Sequence, residues 1–142
     1  MSDFELDAFL PYQLAVLSAR VSNGFSAIYK QKFGISQPEW RVLAHLSQTG
    51  SVSVREIHQR VYMDKSKVSR AASRLETAGY ISKRVNGNDR RLVELKLTQK
   101  GREIIDEITP MGQKYEAEVL AGLGEHAPCF RTSLAKLLKE NK

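Results

Sequence analysis

Apolar residues along this chain recur mostly at steps of three and four, the spacing that lines one face of a helix. Leu10, Leu14, Leu17, Val21, Phe25 and Ile28 step by 4, 3, 4, 4 and 3, which predicts one long helix over 10–33. Pro11 suits its first turn, where a missing N–H has no helical partner to lose. Gly34 can end it in a left-handed conformation. So long a stripe on a chain of 142 residues needs a partner surface. Ser36, Gln37, Pro38 and Glu39 form the pattern of a capping box that opens a second helix, with Trp40, Leu43 and Leu46 inward and Gly50 after its end. Ser53 to Glu56 repeats the pattern before a short helix that turns Ile57 and Val61 inward. Asp64 can cap the next helix, whose Val68, Ala71, Ala72 and Leu75 share a face and whose end falls at Gly79.

The period then changes. Residues 80–85 are short and β-prone, Asn86-Gly87-Asn88-Asp89 is dense in turn formers, and Val93, Leu95 and Leu97 alternate with Glu94 and Lys96. This predicts a two-stranded hairpin. Strands of about five residues cannot stand alone and must pack on the helices. Thr98 can cap a long helix in which Ile104, Ile108, Met111, Tyr115 and Val119 share a stripe, and Pro110 is expected to kink it. Gly122 and Gly124 break the pattern, and a last helix carries Phe130, Leu134, Leu137 and Leu138. The expected fold is mainly α with a small β-hairpin, in a single chain over 1–142.

Composition narrows the class. Hydrophobic residues make up 42% and charged residues 27%, the balance of a soluble globular protein. No apolar run approaches the roughly 20 residues of a membrane span. The first seven residues are acidic, the wrong sign for a signal or transit peptide, so the expected compartment is the cytoplasm. One cysteine, Cys129, excludes an internal disulfide framework and a multi-cysteine zinc cluster. His45, His58 and His126 lie far apart, with no metal-ligand spacing among them. Nucleophile and phosphate-loop motifs are absent. The expectation is a protein with no cofactor, no metal and no catalytic residues.

Charge carries the functional signal. The 50 residues from Ser51 to Lys100 hold 12 basic and 5 acidic side chains, a net +7, while the rest of the chain nets −1. A concentrated basic face is the footprint of nucleic-acid binding, because each neutralised phosphate releases condensed counterions. A solvated, merely soluble face is the alternative. On the helix opening at Lys65, Ser66, Ser69 and Ser73 form one stripe, and Lys67, Arg70 and Arg74 a neighbouring one. Short hydroxyl side chains flanked by long cations suit a helix in the major groove, where Arg and Lys reach guanine edges or phosphates. Lys83, Arg84, Arg90 and Arg91 cluster around the hairpin turn with Asp89 in opposition, and an arginine at such a tip can enter the narrow minor groove. A helix-turn-helix followed by such a hairpin is a winged helix.

Read in order, the motifs resemble the multiple-antibiotic-resistance regulator (MarR) family of bacterial winged-helix transcription factors. Asp64-Lys65-Ser66-Lys67-Val68-Ser69-Arg70 resembles that family's recognition-helix start, and Arg74-Leu75-Glu76-Thr77-Ala78-Gly79-Tyr80-Ile81 its exit into the wing. Asp89-Arg90-Arg91 fits its D-x-R wing motif, and Leu97-Thr98-Gln99-Lys100-Gly101 its helix restart. The resemblance spans nearly the whole chain. It implies a homodimer joined by its first and last two helices, here 8–34 and 101–142, around a DNA-binding lobe at 36–100. It also implies recognition of a pseudo-palindromic operator in duplex DNA, usually in repression. Asp89 would then orient Arg91 into the minor groove, with Arg90 on phosphate.

The resemblance further implies release by a small anionic, often aromatic, effector, which in some members is a coenzyme A thioester. Candidates to hold it are Tyr12, Arg20, Trp40, Arg41 and His45. The structural alternative is that Trp40 is core, Arg20 pairs with an acid and His45 is a satisfied interior group. Some relatives sense oxidants through a cysteine near the N-terminus. Cys129 lies in the last helix, where a buried or interface thiol is expected instead. Two other classes stay open: a winged helix that docks on protein, and a non-specific architectural DNA binder.

Overall fold

The computed structural model describes residues 3–85, 87–88 and 93–141. Among the described residues six helices and three strands follow in the order α1 (Leu10–Phe33), α2 (Gln37–Thr49), β1 (Val52–Ser53), α3 (Val54–Val61), α4 (Lys65–Thr77), β2 (Ile81–Val85), β3 (Val93–Leu97), α5 (Gln99–Ala121) and α6 (Ala127–Glu140). Short 3-10 turns precede α1 and α6. Two compact units emerge, Met1–Thr109 and Pro110–Lys142, and α5 runs continuously from one into the other through Pro110. Thr109 hydroxyl donates to the Ile105 carbonyl at 2.7 Å, one turn back.

Helix ends follow the chemistry read in the sequence. Gly34 adopts φ +69° and donates its N–H to the Lys30 carbonyl at 2.8 Å, closing α1. The Ser36 hydroxyl accepts the Glu39 N–H while the Glu39 carboxylate accepts the Ser36 N–H, each at 3.3 Å, a full capping box. At Ser53 only half of the expected box forms. Its hydroxyl accepts the Glu56 N–H at 3.1 Å but donates to the Glu56 carboxylate. Ser53 is also the end of a strand, and it pairs with Glu94 of β3. Asp64 accepts the Lys67 N–H at 2.9 Å and starts α4. Gly79, at φ +86°, donates to Glu76 while Tyr80 donates to Leu75, the paired bonds of a Schellman motif that stops α4.

The sheet departs from the two-stranded expectation. It is three-stranded and antiparallel in the order β1-β3-β2, with Val52 opposite Leu95 and Lys83 also opposite Leu95 from the other side. Two residues are too few to show a period, so β1 leaves no trace in the pattern. Its effect is to bury β3 centrally, with Leu95 fully inaccessible.

The core lies within the first unit. Val42, Leu43 and Leu46 of α2, Ile57 of α3, Val68, Ala71, Ala72 and Leu75 of α4, and Ile104, Ile105 and Ile108 of α5 are buried together with Tyr29 and Ile35. The small Ala71 and Ala72 let the helices approach closely. Val61 and Trp40 pack against this core half-buried rather than inside it. In the second unit none of the described residues is buried. Val119, Leu123, Phe130, Leu134, Leu137 and Leu138 are all exposed, as are Leu10, Leu14 and Leu17 at the start of α1. Cys129 is exposed as well, so of the two expected settings, buried or interface, burial within the single chain does not hold, because α6 covers no core of its own. Among the described residues no helix is long and apolar enough to cross a membrane.

Candidate nucleic-acid interface

Burial of four residues at i, i+3, i+4 and i+7 fixes which way α4 faces. Val68, Ala71, Ala72 and Leu75 are at most 2% exposed. Lys65, Ser66, Lys67, Ser69, Arg70, Ser73 and Arg74 are all exposed. The sequence-derived reading face is therefore one continuous hydroxyl and cationic surface. At its start Asp64 serves the cap, and its hydrogen bond from the Lys67 N–H holds its carboxyl below the usual range. His58 braces the same turn from α3. Its Nδ1 lies 2.6 Å from the Met63 carbonyl. A carbonyl can only accept, so Nδ1 carries the proton.

Along one flank of α4 runs a groove of about 730 Å³, lined by Lys65 and Ser69 from α4, Arg55 and His58 from α3, and Lys83 from β2. Arg55 belongs to this basic lining and was not singled out in the sequence. Its only signal there was its place two residues after the Ser53 cap, which puts it at the open start of α3. Lys83 has a second role. Its Nζ donates to the Ser73 hydroxyl at 3.0 Å and sits 3.9 Å from the Glu76 carboxylate. It thus ties the wing strand to α4. Arg84 is exposed on β2, opposite Glu94 in register. Asp89, Arg90 and Arg91, the expected wing tip, lie outside the described residues.

The five effector candidates do not come together within one chain. Tyr12 and Arg20 are exposed on α1. At 1.5 Å per residue Tyr12 is about 20 Å along the helix from Phe25, which packs edge-on against Trp40 at 5.4 Å. Trp40 also stacks near Tyr29, at 5.6 Å. Burial pushes the Tyr29 hydroxyl up to about 12, with Arg41 pulling the other way. Trp40 thus sits in an aromatic cluster at the core's edge. His45 Nε2 lies 3.3 Å from the Arg60 guanidinium. Since a guanidinium only donates, Nε2 accepts. Partial burial and then Arg60 hold the His45 pKa below its ordinary value. Arg41 lines a separate cleft, described below. Among the described residues no group of three or more His, Cys, Asp or Glu is placed to hold a metal ion.

A helix-turn-helix with an exposed cationic second helix, followed by a small sheet, defines a winged-helix nucleic-acid-binding protein. Comparison with known proteins gives the family. Residues 33–92 match the sequence profile of the MarR family. The chain is 28% identical over 117 residues to the uncharacterized HTH-type transcriptional regulator YdgJ of Bacillus subtilis, covering 82% of this chain and 69% of that protein. It is 34% identical over 95 residues to the HTH-type transcriptional repressor MdtR of the same organism, covering 67% of this chain and 61% of that one. The crystal structure of a MarR/EmrR family transcriptional regulator from Acinetobacter sp. ADP1 superposes with a TM-score of 0.82 over 96% of both chains, at 28% identity. The chain belongs to the MarR family of DNA-binding, winged helix-turn-helix transcriptional regulators.

Proposed function

We propose that this protein is a homodimeric repressor that binds a pseudo-palindromic operator through α4 and the wing, and that a small anionic effector releases it. The observation that carries the reading is the α4 face. Ser66, Ser69 and Arg70 stand outward at the spacing that reaches base edges, with Lys65, Lys67 and Arg74 beside them for phosphate or guanine. Arg91 serves the minor groove, oriented by Asp89, with Arg84 and Arg90 on the backbone. Repression is supported by the resemblance and by the MdtR relative, which is named a repressor. Dimerisation through 8–34 and 101–142 is supported by the apolar stripes of α1 and α6, which face solvent in the single chain. Exposed apolar area on that scale marks an interaction surface. Of the effector candidates, Arg20 offers the cation an anion needs.

The test is fluorescence anisotropy on duplex DNA from upstream of the protein's own coding region against a shuffled duplex, near physiological salt. A preference of about 10³-fold or more supports the reading. Arg70→Ala is expected to cost about 1–3 kcal/mol on the preferred duplex alone. Equal affinity for upstream, shuffled and genomic-fragment duplexes refutes sequence-specific recognition.

A further inference from the structure

The reading face of α4 leaves a second basic cleft unexplained. It lies where α1, the start of α2 and the turn between α3 and α4 meet, and its volume is about 580 Å³. Lys30 from α1, Arg41 from α2 and Lys67 from α4 line it, together with Tyr62 of the turn. Asp64 is the one acid in the lining, and its carboxylate already accepts the Lys67 N–H. None of the three cations has an ion-pair partner within 4 Å among the described residues. Three positive groups from three separate elements thus face one solvent-filled space with a single carboxylate, Asp64 beside Lys67, to offset them.

The position of the cleft around α4 says what fits it. Residues of a helix are set about 100° apart, so Ser69, which lines the groove on the wing side, and Lys67, which lines this cleft, are about 160° apart around the axis. Ser66, Arg70 and Ser73 lie between them. The two basic hollows are therefore on opposite flanks of the reading face. A helix about 10–12 Å across fills a major groove about 12 Å wide, and that groove is bordered on each side by a strand of phosphates. The wing-side groove, with Arg55 and Lys65, faces one strand. We propose that the Lys30–Arg41 cleft seats a phosphodiester of the other strand, so that α4 is gripped from both borders of the groove. Arg41 brings a planar fork that matches two phosphate oxygens, and Lys30 a compact charge. These contacts fix the register of the helix and carry no base preference of their own.

This inference rests on the DNA-binding reading above, and its test separates the two. Lys30→Gln, Arg41→Gln and the double variant are compared with wild type on labelled upstream and shuffled duplexes across a salt series. Far-UV circular dichroism and melting temperature check that the substitutions at exposed Lys30 and half-buried Arg41 leave the fold intact. Each lost phosphate contact is expected to flatten the slope of log Kobs against log[salt] by about 1, so the double variant, which empties one phosphate seat per protomer, by about 2 in a two-fold dimer. The loss of affinity is expected to be equal on both duplexes, and Arg41→Lys to keep much of the Arg41 share. An unchanged slope in the double variant, with Arg70→Ala still weakening the upstream duplex, overturns the phosphate seat and spares the reading face. Unchanged slopes together with lost thermal stabilisation by benzoate assign the cleft to a small anionic effector and also overturn the proposal. Failure of the wild type to bind any duplex overturns both.

Discussion

Gly101, in the first turn of α5, is where the end of α4 is pinned to the rest of the fold. A Cβ at this position would fall well inside van der Waals contact with the Tyr80 carbonyl oxygen, and 3.1 Å from the Leu97 Cδ2. The clash is with backbone, which has no rotamer to change. Tyr80 is held at both ends. Its N–H donates to the Leu75 carbonyl at 2.9 Å and its carbonyl accepts the Thr98 N–H at 3.0 Å. For Gly101→Ala to relax, α5 must back away, which loosens that bond and two more: the Thr98 hydroxyl to the Gly79 carbonyl at 2.6 Å, and Lys100 Nζ to the Ala78 carbonyl at 2.8 Å. At roughly 1 kcal/mol each these are worth about 3 kcal/mol. Against this, alanine is favoured over glycine in a helix by about 1 kcal/mol. The steric side wins, for a net loss of about 2 kcal/mol. With about 2.1 cal/mol/K of unfolding entropy per residue, that lowers Tm by about 7 °C. Thermal and urea unfolding at matched protein concentration measure it, because dimerisation makes Tm concentration-dependent. Gly87→Ala is the control, since a Cβ there meets nothing within 4 Å, and its effect should stay within about 0.5 kcal/mol. A Gly101→Ala protein as stable as wild type, or more so, would refute the close approach.

Two further outcomes follow from the structure. The Asp64 carboxyl is held below its ordinary range by its bond from the Lys67 N–H, so its contribution is complete above the unfolded aspartate pKa of about 4 and is lost as pH falls through the depressed folded value. Asp64→Asn keeps an acceptor at the cap but removes the titration, so its acid denaturation should be less steep than wild type; identical pH profiles would show that this cap does not matter. Leu17→Glu and Leu134→Glu place charges on the exposed stripes of α1 and α6. Each buried leucine is worth about 1.5–3 kcal/mol and counts twice in a two-fold dimer, so the dissociation constant should rise by about 100-fold or more. Sedimentation should then show the 16.0 kDa single chain, and a persistent dimer would place the interface elsewhere.

Much of this architecture was legible in the sequence because its signals are local. Helix α1 runs over Leu10–Phe33, the span that its stripe, Pro11 and Gly34 predict. Ser36, Asp64 and Gly79 mark helix ends through bonds to residues three to five positions away, and the orientation of α4 follows from four apolar positions at helical spacing. The excess charge between Ser51 and Lys100 pointed to a nucleic-acid partner because net charge needs no fold to be counted. Tertiary structure decided what depends on residues far apart in the chain. It made β1 a strand, since two residues acquire that identity only by pairing with Val93–Leu97. It turned Lys83 from a free cation into a tie to Ser73 and Glu76, and placed Trp40 among Phe25 and Tyr29. It also gathered Lys30, Arg41 and Lys67, up to 37 positions apart in the sequence, into one cleft. Periodicity gives the face of an element on which a residue lies, whereas the packing of elements decides what that face meets.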